Sequence, residues 1–464
     1  MSARSLAVFR RRIAPELEDD GGGGTQHNFG LVNSADTASS TSNLDAAVLL
    51  MTMRSSGALS IEGEAGNIDR GGGSSDYGAP AGSVDSPDGV KMMRGELADT
   101  TPWYSNPSPS GAFSSLQRTP VGALLGSAMA ERYAGDSNRT KTVSSAADGN
   151  TYTLADATGV EAGMVICHDI NGRRSLDLIT DVDGTTIKLL HGAHVAHGDL
   201  PANHAIRLGA QYDLTAHAAK GPSVVDVLDL LSERREAFGG RLTSLSMQFQ
   251  SGGDADANAQ IDWNFTVRYA GINKADSAAD VADYSIVRAK QSTPSGRKIA
   301  ETAHCIFRMS TANTMADDAD PTVPVTGLAT TELKIESMSL SVTWGMTPYG
   351  KSAADIGVQD MHEQAQPDVS LELIVQATNS RIETLRGRYY NDDGKQNYHS
   401  LMIPFGPLGA HGGGICMPTA VLTDDPTKLD GGKGYRRYIL RFRHSAAHIV
   451  DSTSDRAGLK IVSF

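Results

Sequence analysis

The chain has 464 residues, a formal charge of -13 at pH 7, 49 glycines and only 6% aromatic residues. A chain this long can bury sizeable cores without cross-links. Its acidic balance excludes general adhesion to nucleic acid through phosphate neutralisation. No apolar run approaches the roughly 20 residues of a membrane-spanning helix, so no membrane partner is expected. The three cysteines, Cys167, Cys305 and Cys416, fall at spacings that suit neither a zinc site nor a disulfide framework, and read as buried free thiols.

Residues 1–45 read as a flexible N-terminal arm. A basic start, with no apolar stretch of a secretory signal, leads into GGGG at 21–24 and a Ser/Thr/Asn/Asp stretch. Residues 46–140 read as the first part of a core. An apolar segment over Leu44–Ser60, LDAAVLLMTMRSSGALS, able to form a strand or a short helix, leads into them, and a long Gly/Ser/Pro/Asp loop follows at 70–111. TPVGALLGSAMAERYAG (119–135) then carries a helical pattern through Val121, Leu124, Leu125 and Met129, with Gly135 as a stop.

Residues 141–212 read as a small inserted β domain. Short apolar runs (TYTLAD, MVICHDI, SLDLITDV, TTIKLLH, HAIRLGA) alternate with turn residues. Asp183-Gly184 marks a hairpin whose two turn positions must tolerate positive φ.

Residues 213–464 read as a helix followed by the main sheet. PSVVDVLDLLSERREA (222–237) has Pro222 for the first turn, apolar residues at helical spacing and Gly239-Gly240 as a stop. Period-2 strands follow. In IDWNFTVRY, Ile261, Trp263, Phe265, Val267 and Tyr269 share one face, and VSLELIVQA repeats the pattern with Val369, Leu371, Leu373 and Val375. LTSLSMQFQ places Leu245, Met247 and Phe249 together. In LKIESMSLSVTW the apolar parity changes from Leu333 and Ile335 to Met338, Leu340, Val342 and Trp344, which predicts a β-bulge near Glu336-Ser337. YRRYILRFRH sets Tyr438, Leu440 and Phe442 against Arg437, Ile439, Arg441 and Arg443. One apolar and one polar face per strand, without βαβ alternation, predicts antiparallel sheets and a mainly β fold.

Chemistry-bearing motifs are sparse. GxSxG, HExxH and P-loop patterns are absent, and the glycine runs lack the flanking lysine of a phosphate cradle. His191, His194, His197 and His204, with Cys167, His168 and Asp199 nearby, form the densest group that could hold a metal ion. They lie in a Gly- and Pro-broken loop, so a solvated loop is the default reading and no metal is assigned. Acidic runs at Asp181/Asp183, Asp254/Asp256 and Asp317/Asp318/Asp320 lack the further ligands of a calcium loop. No catalytic residue and no cofactor is assigned, and the chain is not expected to be an enzyme. The Arg437, Arg441 and Arg443 stripe could hold an anion, but in an acidic chain it reads better as pairing with carboxylates of an adjacent subunit.

Residues 240–445 resemble the tail tube proteins of long-tailed bacteriophages. The resemblance rests on the order of RLTSLSMQFQSGG, AQIDWNFTVRYAG, IESMSLSVTWGMTPYG, KSAADIGVQDMHEQAQPDVSLELIVQA, the link NSRIETLRGRYYNDDG, and late strands around SLMIPFGPLG and YRRYILRFRH. Residues 44–135 look like the matching first half, and the resemblance implies that the small β domain at 141–212 is carried on the outer surface. The resemblance implies an antiparallel β-sandwich or barrel-like core with a flanking helix, and hexameric rings that stack into a tube. Implied partners are the chain itself, a tape measure protein, a tail terminator, a distal tail protein, and genomic DNA passing through the lumen unread. The implied location is the virion tail, assembled in the host cytoplasm. Alternative readings are a baseplate, distal tail or head–tail connector component, a surface carbohydrate-binding protein, or an enzyme using the histidine loop.

Overall fold

A computed structural model describes the strands named below, residues 138–214 apart from 196, and residues 125, 128–129, 344, 367, 382–383, 385–386, 389, 423–426, 436, 458–459 and 464. The first strands are β1 (Ser5–Arg12), β2 (Val48–Met53), β3 (Ser60–Gly63), β4 (Lys91–Glu96) and β5 (Ala130–Arg132). Next come β6 (Thr140–Ala146), β7 (Thr151–Leu154), β8 (Val165–Ile170), β9 (Arg173–Asp183), β10 (Thr186–Leu189) and β11 (Ala205–Leu208). They are followed by β12 (Ala210–Asp213), β13 (Val224–Asp229), β14 (Arg235–Gln250), β15 (Gln260–Val267), β16 (Tyr269–Ile272), β17 (Arg308–Thr311) and β18 (Lys334–Thr343). The last are β19 (Met346–Tyr349), β20 (Asp360–Glu363), β21 (Asp368–Gln376), β22 (Tyr398–Phe405), β23 (Gly413–Leu422), β24 (Thr427–Leu429), β25 (Arg437–His444) and β26 (Lys460–Ser463).

The fold is mainly β and antiparallel, as the alternating strands predict. Two bodies of strands dominate. The larger is a curled sheet whose central run is β3–β4–β15–β14–β18–β21–β25. Beyond β25 it continues through β23, which pairs with β22 on one edge and with β25 and β26 on the other. Strand β26 in turn pairs with β12, and β12 with β5. The 16-residue β14, about 50 Å long at strand rise, also pairs through its first half with β13 and β16. The smaller body is a closed barrel of six strands in the order β10-β7-β6-β11-β8-β9.

The period-2 argument holds residue by residue. In β21, Val369, Leu371, Leu373 and Val375 are buried while their neighbours are not. Register brings Leu371 opposite Leu340 and Phe442, and Leu340 opposite Met247, so one apolar face runs across four strands. The predicted bulge is present. The β18–β21 register steps between Ile335 and Ser337, leaving Glu336 as the extra residue.

The barrel is filled by Val143, Tyr152, Leu154, Ile166, Ile179, Ile187, Leu189, Ile206 and Leu208. Its outer face supplies Val165, Cys167, Leu176, Leu178 and Leu190 to a second core, shared with Met402, Cys416, Val462 and Phe464 of the large sheet. Strand β9 is therefore buried on both faces. At this seam a side chain on Gly414 would overpack the core: a Cβ there would lie 2.2 Å from Leu176 Cδ1.

The β9–β10 hairpin expected at Asp183-Gly184 forms one residue later. Asp183 pairs with Thr186, so Gly184-Thr185 is the loop, with positive φ at Gly184 alone (58°). The β8–β9 turn, Asn171-Gly172, has positive φ at both positions (53° and 72°), the type I′ signature.

Four expectations are corrected. The helix read at 222–237 is instead strand β13 and the start of β14, and Gly239-Gly240 lie inside β14. Val224, Val225 and Val227 are β-branched and favour extended backbone. The ladder with β1 on one edge and β14 on the other then outweighs helical spacing. The arm read at 1–45 begins with a strand, β1, held between β2 and β13, and the remainder of that arm lies outside the described residues. Within the loop read at 70–111, β4 pairs with β3 and β15. The helix read at 119–135 ends sooner: Leu125 is helical, with Ala128 N and Met129 N donating to its carbonyl at 3.0 and 2.8 Å, and Ala130–Arg132 form β5. The other helical residues described are Ile382, Glu383, Leu385, Arg386 and Tyr389, in the link before β22.

Candidate functional site

The face of the β18–β21–β25 sheet opposite the core is polar. Its register sets Ser341 beside Ser370 and Arg443, and Ser339 beside Glu372 and Arg441. The hydroxyl side chains come from the opposite half of the same alternation that buries Leu340 and Leu371. The Arg437, Arg441 and Arg443 stripe lies on this face, with Tyr438, Leu440 and Phe442 buried behind it.

The structure places two of the three arginines against carboxylates of their own chain. Arg437 Nε donates to Glu336 Oε2, and Gln376 Nε2 donates to Glu336 Oε1 at 2.6 Å. The bulge thus re-aims Glu336 so that it receives both groups, a common use of an extra strand residue. Arg441 Nε donates to Glu372 Oε2 at 2.9 Å, and its Nη1 to Asp424 Oδ2 at 3.4 Å. Glu372 and Asp424 hold the Arg441 guanidinium pKa above its ordinary value. Arg443 is exposed, and no carboxylate among the described residues lies in ion-pair reach of it.

The histidine loop does not converge on a point. His191 Nε2 lies 3.1 Å from Ser400 Oγ of β22, tying the loop to the large sheet. His194 Nε2 donates to Ile170 O at 3.2 Å, which makes Nδ1 the acceptor of the Ser175 hydroxyl at 2.8 Å. His197 Nε2 donates to Ala146 O at 3.0 Å. His168 and His204 sit inside the barrel. Among the described residues no group of three His, Cys, Asp or Glu side chains could hold a metal ion. The loop straps the barrel through 190–195, while 197–199 and 201–203 are exposed, as a solvated loop would be. Gly192 (φ 80°) is required in it, since a Cβ there would meet Gly149 O at 2.0 Å.

Of the acidic runs, Asp181 pairs with Lys188 across the β9–β10 hairpin at 3.6 Å. Asp254, Asp256, Asp317, Asp318 and Asp320 lie outside the described residues, as does Cys305. Cys167 and Cys416 are free and fully buried, and burial drives both thiols far up, so they do not ionise near neutrality.

Sequence reasoning missed a buried ionic junction beside the seam. Asp213 pairs with Lys460 on the neighbouring strand at 3.2 Å and with Arg132 Nε at 2.8 Å. Gln211 Nε2 donates to Asp213 Oδ1 at 2.6 Å and to Gly163 O at 2.8 Å, while Val165 N donates to Gln211 Oε1 at 2.7 Å. The Asp213 and Lys460 side chains are fully buried. Nothing in the sequence signals this pairing, because the partners are 247 residues apart. Among the described residues no helix is long and apolar enough to cross a membrane. A scan against models of known protein families gives no match, and a search of curated proteins gives none either.

Proposed function

We propose that the chain is the tail tube subunit of a long-tailed bacteriophage, a structural protein whose copies form hexameric rings that stack into the conduit for DNA. One observation carries the reading: a broad antiparallel sheet buries one face and presents a serine- and charge-bearing face on the other. Such a sheet, continued edge to edge from subunit to subunit, makes a cylinder wall with a wet inner surface. Arg437 and Arg441 are already matched by Glu336, Glu372 and Asp424, so little positive field remains at those positions to hold phosphates. The acidic chain as a whole adds repulsion. DNA would slide past such a wall rather than bind to it. Partners in this reading are further copies of the chain, a tape measure protein, a tail terminator and a distal tail protein.

Negative-stain microscopy of the purified chain tests the proposal. Six-fold rings that stack into tubes are the expected result. Discrete rings that never stack would move the reading to a baseplate or connector component, and a monomer at all concentrations would remove it.

A further inference from the structure

Strand β26 lies between β12 and β23, and its first residue, Lys460, faces Asp213 of β12 in register. Leu214 N donates to Leu459 O at 3.0 Å, so 214 and 459 are a hydrogen-bonded pair. Residues 213 and 460, one step along the ladder, are then a pair of the other kind, in which side chains stand closest. Lys460 Nζ is 3.2 Å from Asp213 Oδ1, and both side chains are 0% exposed. Opposite Lys460 on β23 is the fully buried Cys416, and Val462 and Phe464, further along the chain, belong to the apolar core shared with the barrel.

The carboxyl is held from both sides. Gln211 Nε2 donates to Oδ1 at 2.6 Å, and that side-chain amide is itself fixed by Gly163 O and Val165 N. Arg132 Nε stands 2.8 Å from Oδ2, and its Nη1 donates to Ala162 O at 2.9 Å. The amine approaches on the Oδ1 side. A nucleophile, an oxygen that can leave and a cation at the remaining oxygen are therefore already in place. Enclosing an ion pair away from water carries a desolvation cost that an uncharged group of similar shape does not.

We propose that Lys460 and Asp213 condense into an intramolecular amide, a self-formed cross-link that fastens β26 to β12. Nζ passes one proton to Oδ1 and attacks Cγ. The new C–N bond creates a tetrahedral centre whose negative oxygen, Oδ2, faces Arg132. A second Nζ proton moves to Oδ1, the Cγ–Oδ1 bond breaks, and Oδ1 leaves as water. The third proton stays on the amide nitrogen. One ammonium and one carboxylate disappear together, so the net charge of the chain is unchanged and no oxidant or cofactor is consumed. The bond joins residues 247 apart, a span over which a cross-link strongly restrains the unfolded chain. It stands whatever the chain assembles into.

Mass spectrometry of the full chain, folded, incubated and then denatured, tests this. The chain should be lighter than its sequence by one water. Trypsin should yield a branched peptide in which 208–220 is linked to 457–464, uncut at Lys460. Lys460→Arg keeps the charge, cannot form this amide and should show the full mass. Asp213→Asn should reach the same final mass as the unaltered chain, because asparagine loses ammonia where aspartate loses water. Full mass, with trypsin cutting after Lys460, overturns the proposal. So does a water loss that persists in Lys460→Arg, as a succinimide at Asp183-Gly184 would give. Should Lys460→Arg not fold, the peptide map of the unaltered chain decides: the branched peptide supports the cross-link, and its absence refutes it.

Discussion

Replacing Gly414 by alanine probes the contact between barrel and sheet directly. The added methyl would stand 2.2 Å from Leu176 Cδ1 and 3.3 Å from both Leu176 Cδ2 and Ile403 O, where ordinary contact begins at 3.4 Å. Leu176 is fully buried in the shared core and has no solvent to turn toward. Overpacking of this kind costs about 1–3 kcal/mol, against which the loss of glycine's unfolded-state freedom returns roughly 0.5 kcal/mol. Leu176→Ala alone removes buried volume and should cost about 2–5 kcal/mol. Together the two changes relieve each other, because the new methyl occupies space that the leucine vacates. The double variant should therefore be more stable than the sum of the single effects by about 1–3 kcal/mol. Urea unfolding of the four proteins, followed by circular dichroism, measures the coupling. Effects that add to within about 0.5 kcal/mol would refute the contact.

Asp213→Ala removes the carboxylate that faces the fully buried Lys460 and the half-buried Arg132, and should cost about 3–5 kcal/mol in the same assay. Arg441→Ala, at an ion pair 45% exposed on the arginine side, should change stability by less than about 1 kcal/mol. His444 has its pKa lowered to about 4, by burial first and then by Lys460. Since the folded-state value lies below the unfolded one, the unfolded chain takes up the proton first. This contribution is therefore complete above about pH 6.5 and is lost as pH falls toward 4, by up to about 3 kcal/mol. His444→Gln should flatten the pH dependence of the unfolding midpoint over that window. Glu336→Gln keeps the bulge but removes the charge facing Arg437, and a loss of roughly 1 kcal/mol is expected, relieved in the Arg437→Gln background.

The parts of the fold that were legible are those governed by local alternation. The faces of β21 and β25 follow from period 2 alone, and the parity change in LKIESMSLSVTW locates the bulge at Glu336. The segment 222–237 misled because its apolar spacing fits a helix and a strand about equally well. The deciding term is the pair of ladders with β1 and β14, which is not local. The Asn171-Gly172 turn was readable and overlooked. The polar partners were not readable at all. That Arg437 would meet Glu336 across β21, and Lys460 would meet Asp213 on the next strand, depends on partners 101 and 247 residues away. The histidines, close in sequence, prove to point in different directions because the loop wraps the barrel instead of folding on itself.

The shared seam has a consequence for the order in which the chain acquires structure. Every strand of the barrel lies between Thr140 and Leu208, so its pairings close over short loops and form early. Its outer face, with Val165, Leu176, Leu178 and Leu190, is covered only when β22, β23 and β26 arrive from roughly two hundred residues further on. Until then a folded barrel carries an open apolar flank, the kind of transient surface that invites chaperone capture or premature association. Gly414 and the Asp213–Lys460 pair are the parts that seal it, so lesions there should show as lost soluble yield even where the mature fold tolerates them.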